Sequence, residues 1–292
     1  MLNSVNPYIN EIVEKYEESS PESIDKMLHD ADKRIRGISL TGSVSSGAKV
    51  AEESGKNIKK TVLELGGSDP FIVLKDADII KAAKTAVEAR MKNFGQSCDA
   101  AKRFIIHESV YDEFLIQFKE EMEKLTFGDP MDEDTDYASL ANVNQKNLLS
   151  KQVERSVEMG ANVYWQGFKV GTSVAFFNPI ILTNITSEMP AYNEELFGPV
   201  ACMFSFSSEK EAVLLGNDTQ FGLGASIWTK NIEHGKELAR ETESGLVYIN
   251  DEVSSMPELP FGGVKKSGIG REMSEIGIRE FTNKKAIWIT KE

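Results

Sequence analysis

Apolar residues in this chain recur with two spacings, and the alternation between them lays out the fold. Ile24, Met27, Leu28 and Ala31 stand at i, i+3, i+4 and i+7 and mark one face of a helix. Two registers could open it. Ser19 with Glu22 has capping-box spacing, while Ser20 before Pro21 fits an N-cap ahead of a first-turn proline. The helix is expected to stop near Gly37. Beyond it the texture changes to short strands at 38–40, 61–65 and 71–74, separated by a helix over 48–60 and followed by one over 76–94. The alternation continues with a strand at 103–108 and helices over 110–125 and 144–161. Strands at 162–167, 174–185 and 200–207 follow, then a helix at 208–218 and a strand at 224–229. A helix at 232–244, a strand at 246–250, a Gly-rich loop at 260–272 and a terminal strand at 284–291 complete the series. Strands alternating with helices predict an α/β fold with mostly parallel strands.

Composition narrows the class. The 292 residues are 40% hydrophobic and 27% charged, enough for roughly two domains with buried cores. No run approaches the ~18 consecutive apolar residues of a membrane span. The opening residues are acidic and lack the basic and apolar regions of a signal peptide, so a cytoplasmic location is expected. A net charge of −13 argues against a phosphate-backbone partner, which needs clustered Lys and Arg. Neither nucleic acid nor a membrane is expected as partner. The two cysteines, Cys98 and Cys202, make no disulfide framework, and His29, His107 and His234 are scattered without metal-site spacing. No metal site is expected.

Cys98 and Glu64 carry the candidate chemistry. Glu64 ends a strand beside Gly66-Gly67, and in an α/β sheet ligands gather at the carboxyl ends of strands. Cys98 follows a helix and the loop Asn93-Phe94-Gly95-Gln96-Ser97. A thiol and a carboxylate base form a plausible pair for covalent catalysis, although a free cysteine is also a common buried hydrophobe. Thr41-Gly42-Ser43 joins a strand to a helix, so its backbone N–H groups and hydroxyls could face a phosphate or simply cap the helix.

The order LELGG, FGQSC, EELFGPV, NDTQFGLGASIWT, SGLVYIN and PFGGVKKSGIGRE resembles the aldehyde dehydrogenase superfamily, from about Arg34 to the C-terminus. The segments AAKRFI and GREMSEIGIREFTNKKAIWI look like those of succinate-semialdehyde dehydrogenases. The resemblance implies a truncated Rossmann-type parallel sheet, an α/β catalytic domain and a C-terminal oligomerisation strand. It implies NAD or NADP as hydride acceptor, an aldehyde as substrate, and association as a homo-oligomer or with homologous chains. Cys98 matches the nucleophile that attacks the aldehyde carbon, and Glu64 the general base. Ser43 matches a pyrophosphate contact, Glu195 a contact to the nicotinamide ribose, and Phe197 an aromatic beside the nicotinamide. Leu65 and Gly66 belong with them on the cofactor side. Arg90 and Lys92 are candidates for holding the far carboxylate of a semialdehyde, and a solvated helix end explains them equally. Cys202 reads as a core residue.

The family chain runs to about 450 to 500 residues, longer than this one by roughly a domain. Residues 3–33 resemble the family's opening strand and helix but run straight into RIRGISLTGS, which belongs further along. An internal stretch of about 170 residues is therefore expected to be missing. That stretch normally holds the adenosine ribose and supplies a second oxyanion donor, so the cofactor pocket is expected to be incomplete. The implied layout is an N-terminal piece at 1–33, a partial dinucleotide-binding portion at 34–97, a catalytic domain at 98–264 and a return segment at 265–292. Two other functions fit the same residues: a cofactor-independent thiol esterase, and a non-catalytic copy that pairs with full-length homologues.

Overall fold

Short runs that are apolar on both faces build the main sheet of the computed structural model, as expected for strands covered on each side; it describes residues 2–17, 20, 23, 35–167 and 174–290. β1 (Leu2–Asn6) and β2 (Glu11–Tyr16) form an antiparallel hairpin of their own, so two strands stand where the sequence led us to expect one. Their turn uses Asn10 at φ 58°, a left-handed conformation that Asn tolerates. Ser20 Oγ accepts the Ser23 N–H at 3.1 Å, the register in which Ser20 is the N-cap. The rest of that expected helix lies outside the described residues.

β3 (Gly37–Thr41), α1 (Val44–Lys56) and β4 (Lys60–Glu64) form a parallel βαβ unit. α1 begins at Val44 rather than near residue 48 because Ser43 caps it, its Oγ accepting from Ser46 N at 3.2 Å. The chain then builds β5 (Pro70–Val73), α2 (Ile79–Met91), β6 (Arg103–His107), α3 (Tyr111–Glu123), α4 (Val143–Glu158), β7 (Asn162–Gln166) and β8 (Ile180–Thr183). The single turn α5 (Pro190–Asn193) leads to β9 (Val200–Phe206), α6 (Glu209–Asn217), β10 (Gly224–Trp228), α7 (Ile232–Glu241) and β11 (Leu246–Ile249). A return segment carries β12 (Gly268–Ile269) and α8 (Ser274–Glu280).

The main sheet has the order β11-β10-β5-β6-β9-β8-β7, and every neighbouring pair is parallel except β7 with β8. A smaller sheet has the order β12-β4-β3, with β12 antiparallel to β4. Three expectations change. The sheets part between β4 and β5, not at residue 97, because β5 hydrogen-bonds to β6 and β10. The strand expected over 174–185 shrinks to Ile180–Thr183; Pro179, just before it, has no N–H to give a ladder. The terminal strand expected at 284–291 is not formed over 284–290, which pair with no strand among the described residues. A strand exists only where another edge meets it, and Ile287, Trp288 and Ile289 stand exposed.

Ala82, Ala83 and Ala86 bring α2 close to the sheet, where Phe71 stacks on Trp228 with ring centroids 5.4 Å apart and Phe104 meets the edge of Phe118 at 5.0 Å. Burying each such side chain stabilises the fold by about 1.5–3 kcal/mol. Arg103 is buried as well, beside Tyr192 and Phe204. Its guanidinium donates to Leu215 O at 2.7 Å and lies 5.1 Å from the Tyr192 ring, a cation set against the last carbonyls of α6.

Candidate active site

The two sheets meet at the link of residues 65–69, where Ser267 also bonds to Gly66. β3 and β4 present their carboxyl ends to it, as the sequence suggested, but the main sheet presents its amino ends. Residues 66–69, 92–102, 194–199 and 218–223 lead into β5, β6, β9 and β10, and these loops touch one another beside the segment that carries Cys98. The short link from β4 to β5 makes this geometry unavoidable: a chain leaving the carboxyl end of one strand enters the amino end of the next within residues 65–69.

Glu64 ends β4 and pairs with Gly268 of β12. It is 3% exposed, and neither carboxylate oxygen finds a hydrogen-bond partner among the described residues. Gly262 of the return segment sits against Oε1, with no space for a Cβ. Burial pushes the carboxyl up to about 8; Glu272 adds to the shift and Arg271 opposes it.

Cys98 lies beyond a strained loop. Asn93, Phe94 and Gly95 follow one another with φ of 48°, 58° and 74°. Left-handed backbone costs a non-glycine residue about 1–2 kcal/mol, and several contacts offset it. Phe94 is buried against Phe127, Phe176 and Tyr137. Asn93 Nδ2 donates to Gln96 O at 3.0 Å, and Gln96 Oε1 accepts from Ala141 N at 2.8 Å. Cys98 itself is half-buried against Leu223, Leu246 and Phe261. Burial pushes its thiol up to about 11, with Asp99 reinforcing the shift and Lys102 opposing it.

The remaining expected residues divide. Glu195 comes to the thiol loop: its Oε1 accepts from Gly67 N at 3.0 Å and lies 3.7 Å from Lys102 Nζ, and its carboxylate occupies the space over Gly66. Leu65 is buried, with its N–H bonded to Ser267 O at 2.9 Å and its side chain against Gly47 of α1. Ser43 stands exposed at the start of α1, next to the β3 end that pairs with Glu64. Phe197 is half-buried, its carbonyl accepting from Gln145 Nε2 at 2.8 Å. Arg90 is not at a solvated helix end. It is fully buried, and its Nη2 donates to Gly95 O at 2.8 Å. A guanidinium so enclosed braces the thiol loop and offers no open anchor for a substrate carboxylate. Lys92 is half-exposed, with its ammonium on Asp99 Oδ2 at 2.7 Å and Val253 O at 3.3 Å.

Asp69, Asp99, Lys102 and Ser267 join the site without having been singled out from the sequence. Asp69 and Lys102 are each 1% exposed, although such residues are mostly surface ones. Burial pushes the Asp69 carboxyl up to about 7, against the pull of the Lys102 cation. The one sequence signal was their position, within four residues of Gly66 and Cys98. Ser267 Oγ donates to Gly66 O at 2.7 Å and accepts from Gly222 N at 2.9 Å, tying the return segment to both sheets.

Comparison with known proteins gives one consistent result. Residues 18–287 match the aldehyde dehydrogenase family. An aldehyde dehydrogenase of Paenarthrobacter nicotinovorans is 48% identical over 88% of this chain and 56% of its own length. A succinate-semialdehyde dehydrogenase [NADP(+)] of Mycobacterium avium (strain 104) is 45% identical over 91% of this chain and 56% of its own. The structure superimposes on the succinic semialdehyde dehydrogenase of Streptococcus pyogenes in complex with NADP+ with a TM-score of 0.88 and 41% identity, covering 94% of this chain and 60% of that one. The chain thus spans little more than half the length of the relatives it matches.

Proposed function

The chain belongs to the aldehyde dehydrogenase family, and on that premise we propose that it carries the thiol chemistry of an NAD(P)+-dependent oxidation of an aldehyde to a carboxylate in the cytoplasm. The observation that carries the reading is the convergence on Gly67, whose N–H holds the Glu195 carboxylate while its α-carbon lies against the Cys98 carbonyl.

In this reading the Cys98 thiolate adds to the aldehyde carbon, forming a C–S bond and sending the carbonyl electron pair to oxygen. The Cys98 backbone N–H offers that oxygen one donor. Glu64 takes the proton of the thiol, passes it to solvent, and as carboxylate again takes one from the water that cleaves the thioester. A carboxyl held near 8 is a much stronger base than a solvated one, which suits proton transfer close to neutral pH. Attack of the water releases the acid and returns the Cys98 thiolate.

The residues fit two points of a nicotinamide dinucleotide. Ser43 with the α1 N-terminus offers hydroxyl and N–H donors to a pyrophosphate, and Glu195 with Phe197 suits the ribose and nicotinamide end. Bound there, the dinucleotide supplies the acceptor for the hydride leaving the thiohemiacetal carbon. The small sheet is then what this chain holds of a dinucleotide-binding portion. A carboxylate-bearing semialdehyde is the substrate class suggested by the relatives. Pairing of the exposed tail around Trp288 with a second copy or a homologous chain is the matching mode of association.

The test is turnover of succinate semialdehyde with NAD+ or NADP+ by wild type and Cys98→Ala, alongside protection of Cys98 from alkylation by the aldehyde. Cys98-dependent formation of reduced cofactor is expected. Ester hydrolysis that needs Cys98, without aldehyde protection or reduced cofactor, would replace this reading with that of a thiol esterase.

A further inference from the structure

The reaction above leaves unused the charges buried beneath the thiol. The Lys102 ammonium donates to the carbonyls of Ser97, Cys98 and Ala100 at 3.1, 3.2 and 3.0 Å, which uses all three of its donors. It also lies 3.7 Å from Glu195 Oε1, and the Lys102 N–H bonds to Asp69 O at 3.1 Å. One cation therefore touches the nucleophile's own carbonyl and the carboxylate moored on Gly67. Burying an ammonium carries a heavy desolvation cost, and an apolar side chain would fill the same volume without it. A charge kept in such a place acts on the groups around it.

We propose that Lys102 is a positioning residue of the thiol site: with Asp69 as its buried counter-charge, its ammonium locks the Cys98 carbonyl to the Glu195 carboxylate and sets the field in which the thiol ionises. The functional weight of this inference rests on the reading of Cys98 as nucleophile; its test does not. The groups around Cys98 are few. Asp99 follows it on the loop, held by Ser97 Oγ and by Lys92 from the end of α2. Asp69 comes from the approach to β5 and Lys102 from the approach to β6. From β11, Tyr248 packs on the same cluster, its hydroxyl turned to Ser254 O at 2.7 Å. The two aspartate charges raise the Cys98 thiol, while the Lys102 charge and, more weakly, the Asp99 backbone N–H lower it, so removal of the cation must leave less thiolate at any given pH.

The experiment is the rate of Cys98 alkylation by iodoacetamide across pH, read by mass spectrometry. It compares wild type with Lys102→Met, Lys102→Arg and Asp69→Asn, the fold of each checked by circular dichroism. Lys102→Met is expected to slow alkylation about tenfold at mildly alkaline pH, the equivalent of one pKa unit. Lys102→Arg should restore most of that rate because it keeps the charge, and Asp69→Asn should speed alkylation. Amide exchange over residues 194–199 should rise in Lys102→Met and not in Lys102→Arg, an outcome that a loss of packing volume does not give. A folded Lys102→Met with the wild-type profile overturns the proposal. If Lys102→Met does not fold, an unchanged profile in Asp69→Asn overturns it equally. Shifted profiles without aldehyde protection of Cys98 would sink the dehydrogenase reading and leave this one standing; protection with unshifted profiles gives the reverse.

Discussion

The backbone N–H of Gly67 donates to Glu195 Oε1 at 3.0 Å across 128 residues of chain. Because the same carboxylate fills the space over Gly66, a methyl group there must collide with it. Gly66→Ala is therefore expected to cost about 1–3 kcal/mol, seen as a lower Tm, and Gly66→Ala combined with Glu195→Ala should recover most of it.

Glu64 makes stability depend on pH. Its folded pKa, about 8, stands above the ordinary value of 4.5, so below 4.5 the carboxyl is protonated in both states and contributes nothing. As pH rises from 4.5 to 8 the unfolded chain ionises first, and the folded state loses stability, on the order of a few kcal/mol in total. Glu64→Gln should remove this loss. Its unfolding midpoint in urea should match wild type in acid and exceed it in mild alkali, while thiol-dependent turnover collapses.

The two cysteines should react differently. Cys202 is 1% exposed, its thiol set toward Ala191 O at 3.5 Å and pushed up by burial to about 12. Cys98 is only half-buried. A thiol reagent should modify one cysteine in the native protein, faster by about tenfold per pH unit while the thiol remains mostly protonated, and both in denaturant. Native labelling of Cys202 would contradict its burial within β9.

Two glycines offer a contrast. Gly95 has φ 74° and its α-carbon abuts the Gly198 carbonyl and Arg90 Nη2, so Gly95→Ala is both strained and obstructed; a loss of about 3 kcal/mol or more is expected. Gly55, inside α1, has nothing within 4 Å of the point where an alanine methyl would stand, and Gly55→Ala should stabilise by about 0.5–1 kcal/mol. Thermal unfolding of the two variants checks both signs.

Much of this was legible in the sequence because apolar spacing and turn residues act locally. β4, β6, β9 and β10 fall where their apolar runs stand. Motif order singled out Cys98, Glu64 and Glu195 for the site proposed above, and the fold brings Glu195 to the loop that carries Cys98. What escaped depends on partners distant in the chain. β5 looks like the next strand after β4, yet its neighbours are β6 and β10. Arg90, Asp69 and Lys102 carry charges that composition assigns to solvent, and only the packing of α2 and the thiol loop encloses them. The tail around Trp288 has the pattern of a strand but meets no strand edge among the described residues.

β12 and Ser267 bear on the order in which the protein assembles. Ser267 Oγ reaches Gly66 O from 201 residues away, and Gly268 pairs with Glu64 itself. During synthesis the stretch that encloses Glu64 leaves the ribosome after every strand of the main sheet. Such long-range closure is slow relative to local pairing. Until then Glu64 stands open to water and ionised, and the raised proton affinity of its carboxyl arises only once the return segment has closed on β4.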